Sequence, residues 1–331
     1  MSGTGPVVTF ANDRYFIGVA GLVNSLHVIG HRGGVIVVDT GLTPDQAQRL
    51  SAGATVLPIA GADGSLLAHM LKPAVVQTVR DHGVRGPIAL ADCDLVITGD
   101  LGKLFQQAAD GHLCMPPDGP PRVQGRRFQE WLTELDIEGP LRPMPYLNAG
   151  LMVFDPAAWE DEFAWWSRRC VQVAERGAQR LEDVQTSAAS EMPFAYADQD
   201  ILNAMLMTEV APERIHILEW WQQGIPEPED TTRIEDRRTI RCRSDYGPVM
   251  LVHNLTHPKP WLPHARVRLR YAPYEELLAR LLDADDLPVR VPRSDIPAWL
   301  RDDPLHRIER RARRGALRPA RWVRHTLLPS R

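Results

Sequence analysis

Two carboxylates one residue apart, Asp92 and Asp94, directly follow the apolar run 87–91. In an extended segment, residues i and i+2 project to the same side. Open α/β sheets bind ligands at the carboxyl ends of their strands. Two acids held this close repel unless a cation lies between them, and a hard divalent ion does this while bridging phosphate oxygens. Taken alone, an Asp-x-Asp triplet is more often a solvated strand exit. A second cluster is His253-Asn254-Leu255-Thr256-His257-Pro258-Lys259-Pro260-Trp261. A histidine at a strand end supplies a third ligand, and an oxygen-rich set that accepts one imidazole suits manganese better than calcium. Lys259 offers a compact ammonium to a diphosphate, on a backbone stiffened by Pro258 and Pro260. It is one of three lysines among 38 basic residues, the rest being arginine. A lysine kept against that bias marks a place where a guanidinium is not equivalent. Read by itself, this cluster is also a proline-rich turn.

Two further segments carry polar groups at element ends. In 146–155, Asn148 is followed by Ala149 and Gly150 just before an apolar strand, so a ligand can approach the backbone closely. In 198–203, Asp198 and Gln199 offer a carboxylate and an amide where a loop enters a helix. Capping is the competing explanation for both.

These groups need a frame. Short apolar runs at 7–10, 34–39, 54–59 and 87–91 alternate with helical patterns at 16–28, from Pro44 onward, and at 73–79. Thr43 is placed to cap the second helix. Such alternation predicts β-α-β units: a mostly parallel sheet with helices on both faces. The pattern weakens over 106–145, where 116–121 (Pro-Pro-Asp-Gly-Pro-Pro) reads as loop. It resumes at 146–154, with helices at 163–176 and 200–207 and a strand at 250–252 running into His253. An amphipathic helix is expected over 273–282. Trp131 and the pair Trp220-Trp221 are open to two readings, an aromatic platform for sugar or lipid, or a small subdomain core.

The 331 residues carry 44% hydrophobic and 24% charged side chains, ordinary globular values that exclude a disordered or fibrous chain. No apolar run reaches the ~18 residues of a membrane-spanning helix. The first residues lack the pattern of a secretory signal. The four scattered cysteines show no Cys-x-x-Cys spacing, which predicts a reduced, cytoplasmic chain with neither zinc site nor disulfide framework. The formal net charge of −4 hides an asymmetry: 301–331 holds ten arginines against three acids, so the rest of the chain is acidic. Leu317, Trp322, Val323, Leu327 and Leu328 add an apolar side to this arm, a composition suited to the headgroup layer of an anionic membrane. A frayed terminus is the competing reading. Nucleic acid is the least favoured partner, given the acidic body and the single tryptophan of the arm.

In this order along one chain, the motifs resemble those of the family 8 retaining glycosyltransferases, which include glycogenin and the bacterial lipooligosaccharide galactosyltransferases. The resemblance spans about residues 7–262. The segment 8–15 is similar to the family's first strand and nucleoside-binding turn, 92–94 to its D-x-D, and 146–150 to its Y-F-N-x-G. Likewise 198–203 is similar to D-Q-D-x-L-N, and 253–261 to H-x-x-G-x-x-K-P-W. The resemblance implies a GT-A type α/β fold, with a glycosyltransferase domain over 1–265 and a helical, Arg-rich appendix over 266–331. It implies a metal-dependent hexosyltransferase that moves a sugar from a UDP-sugar to an unidentified acceptor with retention. The roles it implies are uracil and ribose contacts by Ala11, Asn12, Asp13 and Tyr15, and Mn²⁺ (or Mg²⁺) ligation by Asp92, Asp94 and His253. Lys259 would touch the diphosphate, and Asn148, Asp198 and Gln199 would line the reacting sugar. Lys72 is a looser match to a donor-contacting lysine. Thr256 stands where the family has glycine, which shifts or weakens a backbone contact to phosphate. An insertion atypical of the family is expected around 172–192. The alternative reading is a non-catalytic sugar-nucleotide scaffold or sensor with a degenerate site. A nucleotidyltransferase ranks lower, because 11–15 contains no glycine.

Overall fold

The computed structural model describes residues 4–59, 68–121, 126–175, 193–227, 229–256, 258–262, 271–305 and 308. Within them the strands are β1 (Val7–Ala11), β2 (Val35–Asp39), β3 (Thr55–Pro58), β4 (Ile88–Ala91), β5 (Leu95–Ile97), β6 (Leu113–Met115) and β7 (Leu151–Phe154). There follow β8 (Ile215–Ile217), β9 (Gln223–Gly224), β10 (Arg233–Asp236), β11 (Arg241–Arg243), β12 (Pro248–Val249) and β13 (Leu251–His253). The helices are α1 (Phe16–Val28), α2 (Pro44–Leu50), α3 (Lys72–Asp81), α4 (Gly102–Ala109), α5 (Glu130–Glu134), α6 (Glu160–Glu175), α7 (Ala197–Thr208) and α8 (Ala272–Leu282).

The main sheet has seven strands in the order β3-β2-β1-β4-β7-β6-β8. The first four are parallel, β7 runs antiparallel to both β4 and β6, and β8 is parallel to β6. This is the mostly parallel α/β sheet that the alternating pattern predicts. Strand alternation sorts the core. Val8, Leu90 and Met152 face one layer, with α3, α6 and α7. Val7, Ala89, Ala91 and Val153 face the other, with Leu22 and Leu26 of α1 and Leu104 and Phe105 of α4. Thr43 caps α2 through a reciprocal pair with Gln46, and Pro44 occupies the first turn.

A second sheet, β5-β13-β9, positions the site. β5 leaves β4 through a turn at 92–94 and pairs antiparallel with β13, so that His253 lies opposite Leu95. The acids therefore project from a tight turn between two strands that belong to different sheets, and not from an extended strand exit. The turn is closed by Leu95 N–H donating to the Asp92 carbonyl at 3.3 Å.

Helix α1 is buried around most of its circumference. Its two interior glycines explain how. A Cβ on Gly18 would sit 2.6 Å from Trp261 Cη2 and 2.7 Å from the Cys93 carbonyl oxygen, and one on Gly21 would sit 2.4 Å from Leu278 Cδ1. Each glycine costs about 1 kcal/mol of helix propensity, and here the gain is close packing against the site turn and against α8. Asn24, fully buried on α1, donates to the carbonyls of Leu281 and Val289 at 2.9 and 2.8 Å and accepts from Val289 N–H at 3.0 Å. The expected boundary at 265/266 falls in 263–270, outside the described residues. The same holds for most of the expected insertion (176–192) and for the basic arm at 306–307 and from 309 onward. No helix among the described residues is long and apolar enough to cross a membrane.

Trp131 is fully buried in the core around α5 and α7. Trp220 and Trp221 pack instead on Tyr246 near the surface, with ring centroids 5.0 and 5.7 Å from it.

Candidate functional site

Asp92, Asp94 and His253 each offer a ligand atom within 4.8 Å of the other two. They are 161 positions apart at the widest, and the β5–β13 ladder closes that distance, with Asn254 N–H donating to the Asp94 carbonyl at 3.1 Å. Gly150 makes room for the imidazole: a Cβ there would meet His253 Cε1 at 2.4 Å. The Gly150 carbonyl in turn accepts from Asp92 N–H at 2.7 Å.

The donor set fits a divalent cation. Asp94 Oδ1 lies 3.3 Å from His253 Nε2, and that buried oxygen accepts no hydrogen bond among the described residues. A carboxylate oxygen and an imidazole nitrogen at that spacing are a donor pair that one first-row divalent ion could share. Burial acts on both acids with different outcomes. At Asp92 it prevails over the attraction of Lys72, and the carboxyl is pushed up to about 6. At Asp94 burial is outweighed by Lys259 and His253, which hold the carboxyl well below the usual range.

Lys72, at the start of α3, is almost fully buried and stands between the two halves of the site. Its ammonium lies 3.1 Å from Asp92 Oδ1 and 3.0 Å from Asp198 Oδ2, and donates to the Ala149 carbonyl at 3.1 Å. Burial alone would depress an ammonium here, but Asp198 and Asp92 override it and raise Lys72 above its ordinary value. Lys259 occupies the opposite flank. It donates to Asp94 Oδ2 at 2.6 Å and to the Asn254 carbonyl at 2.8 Å.

The segments 146–150 and 198–203 are strapped together by backbone-to-amide bonds. Asn203 Oδ1 accepts from Leu147 N–H at 2.7 Å, and its amide donates back to the Leu147 carbonyl at 2.8 Å. Gln199 Oε1 accepts from Ala149 N–H at 2.8 Å. Asn203 is therefore a fastener of the site. Asn148 is buried, accepts from Gly150 N–H at 2.8 Å and donates to Asp118 Oδ1 at 2.6 Å. Asp200, two residues beyond Asp198, is held by Arg126 in a bidentate pair (2.7 and 3.1 Å), by the Tyr146 hydroxyl at 2.7 Å and by Tyr196 N–H at 2.7 Å.

Asp118 and Arg126 are absent from the residues singled out in the sequence. Asp118 lies in the 116–121 run, where flanking prolines and a glycine mark only a turn. Yet its N–H donates to the Tyr146 carbonyl at 2.8 Å, and Pro117 bridges to Leu147, which brings its carboxyl to Asn148. Burial raises that carboxyl above its ordinary value, against the pull of the Asn148 amide. Arg126, one of 35 arginines, carries no local signal at all.

Ala11, Asn12, Asp13 and Tyr15 follow the carboxyl end of β1. Asn12 caps the short 3₁₀ turn 13–15 by accepting from Arg14 N–H at 3.1 Å, and Asp13 N–H donates to the Gly41 carbonyl at 3.0 Å. Trp261 ties this turn to the Lys259 loop. Its indole N–H donates to the Arg14 carbonyl at 2.9 Å, and its ring meets Tyr15 edge-on at 6.0 Å. Burial raises the Tyr15 phenol, with Lys259 opposing and Cys93 and Asp94 adding to it, so the turn after β1 and the acids share one electrostatic environment. Thr256 bonds to its neighbour, its hydroxyl donating to Asn254 Oδ1 at 2.7 Å.

No protein-family profile matches the sequence, and no curated protein does. Solved structures share the fold at low identity. The galactosyltransferase LgtC, in complex with donor and acceptor sugar analogs, aligns with a TM-score of 0.55 and 17% identity, over 87% of this chain and 98% of that one. The bifunctional glycosyltransferase WbbM aligns with a TM-score of 0.52 and 16% identity, over 87% of this chain and half of the other. The apo glycosyltransferase GlyE of Streptococcus pneumoniae aligns with a TM-score of 0.50 and 16% identity, over 83% of this chain and 60% of that one. The chain thus has the α/β fold of these GT-A glycosyltransferases.

Proposed function

We propose that the chain is a retaining, metal-dependent glycosyltransferase of the family 8 type, which moves a hexose from a UDP-sugar to a hydroxyl acceptor. One observation carries this reading: Asp92, Asp94 and His253, drawn from distant segments, converge between two lysines. The shared fold supports it.

The chemical problem is to break an anomeric C–O bond whose leaving group is a diphosphate. Negative charge gathers on the leaving oxygen and positive charge on the sugar ring. Asp92, Asp94 and His253 would hold Mn²⁺ or Mg²⁺, which when bound supplies Lewis-acid stabilisation of the diphosphate. Lys259 adds a cationic contact on the phosphate side. Ala11, Asn12, Asp13 and Tyr15 receive the uracil and ribose. Asn148, Asp198 and Gln199 line the sugar, with Asp198 countering the positive charge on the ring. Lys72 lies 3.0 Å from Asp198 and 3.1 Å from Asp92 and so orients the one carboxylate against the other. Retention follows either from a covalent intermediate on a side chain of this group or from attack by the acceptor on the same face as the departing diphosphate.

The test is donor turnover. The full chain, incubated with Mn²⁺ and a panel of UDP-hexoses, should release UDP from at least one of them. Asp94→Ala should lower the rate by about a thousandfold or more, as should a chelator. Undiminished release from Asp94→Ala with chelator present would overturn the reading.

A further inference from the structure

Lys72 and Lys259 each neutralise one carboxylate of the Asp92–Asp94 pair, but they are held differently. Lys72 extends from a helix and contacts Asp92, Asp198 and a main-chain carbonyl. Lys259 extends from the loop after β13 and contacts Asp94 and the carbonyl of Asn254, within its own loop. Its carboxylate partner is the one whose second oxygen faces His253 at 3.3 Å. One oxygen of Asp94 thus faces a lysine while the other faces the place of a cation.

An ammonium on Oδ2 drains negative charge from the carboxylate and repels a cation arriving at Oδ1. Three carboxylates (Asp92, Asp94, Asp198) against two ammonium groups leave the cluster with one net negative charge. A divalent ion alone reverses that sign inside a buried site. A diphosphate alone deepens it. Arriving together, they offset one another, and the diphosphate gives Lys259 a second anion to contact. From this geometry we propose that Lys259 is an internal counter-ion that keeps the metal site weak until a diphosphate arrives, making metal and nucleotide binding cooperative. The proposal rests on the metal–nucleotide reading above and adds a coupling role for one residue. By linkage, the metal must favour the nucleotide by the same factor.

The experiment titrates Mn²⁺ into the full-length protein, with and without saturating UDP, and follows free Mn²⁺ by electron paramagnetic resonance. In the wild type, UDP should tighten Mn²⁺ binding by about tenfold or more. Lys259→Met should bind Mn²⁺ about five- to tenfold tighter than wild type without UDP, and its UDP effect should fall below about threefold. Lys259→Arg, which keeps a cation, should retain most of the coupling, and Lys259→Gln serves as the neutral variant if the Met form does not fold. The inference alone is overturned if the wild type shows the UDP effect while the neutral variant binds Mn²⁺ no tighter than wild type without UDP. It is also overturned alone if Lys259→Arg loses the coupling as fully as the neutral variant. Failure of the wild type to bind Mn²⁺ even with UDP overturns the metal–nucleotide reading itself.

Discussion

The two flanks of the acid cluster are built from opposite materials. On the Lys72 side, a helix start, a core strand and the head of α7 enclose an ammonium with a side chain 5% exposed, between carboxylates that are themselves largely covered. On the Lys259 side, the lysine comes from an irregular proline-bracketed loop, 14% exposed, and shares its carboxylate with the place of a metal. The first arrangement resembles a structural ion triad, and the second an exchangeable one. One cluster can therefore keep a fixed side and a responsive side, which the proposed function assigns to sugar and phosphate.

This contrast can be broken most directly by stability. Lys72→Met leaves Asp92 and Asp198 facing each other without a cation. Removing one partner of a buried ion pair costs about 3–5 kcal/mol, so urea unfolding of the metal-free protein should show a loss of that order, and a smaller one for Lys259→Met, which leaves Asp94 its His253 neighbour at 3.3 Å. Equal losses would erase the distinction. A smaller effect should come from Gly150→Ala. The added methyl meets His253 Cε1 at 2.4 Å and displaces the imidazole, so Mn²⁺ binding should weaken by about tenfold to a hundredfold, as when groups that orient a ligand are lost. The smallest effect sharpens the Lys72 side through pH. Burial pushes Asp200 up to about 6 despite Arg126, so the folded chain keeps this proton to higher pH than the unfolded chain, whose carboxyl titrates near about 3.9. Its contribution to stability is fully present below about pH 4 and is lost as pH rises through about 6. Between pH 5 and 7.5 the loss is about 1 kcal/mol, and Asp200→Asn should flatten the stability profile by that amount. An unchanged slope would show that Asp200 ionises freely.

Regularity decided what could be read in advance. The units from β1 to β4, with Thr43 at its helix cap, announce themselves through β-branched runs of four or five residues and clear apolar spacing. Asp92, Asp94 and His253 stand out because acids and an imidazole at strand ends are chemically conspicuous. The ladder that joins them is only partly so: the strand expected at 250–252 is β13, but β5 has three residues and β9 two, too short for any period to emerge. Asp118 is hidden by the turn chemistry of its prolines, which accounts for the local sequence without reference to Asn148. Lys72 shows in the sequence only as a rare lysine and a loose match to a family position, because its carboxylate partners lie 20 and 126 positions away. Asn203 closes the 198–203 segment with no role of its own legible in the sequence, and its work is to strap Leu147.

Asn24 has a practical consequence for anyone shortening this polypeptide. By gripping the carbonyls at Leu281 and Val289 from inside α1, it makes the stretch up to Leu300, itself fully covered, a cork in the body that bears the acids. Trimming the arginine arm after Asp303 leaves that cork seated and keeps the Asp302–Arg237 ion pair. Trimming before Val289 pulls it, strands a buried amide, and would make an inactive product say nothing about the arm.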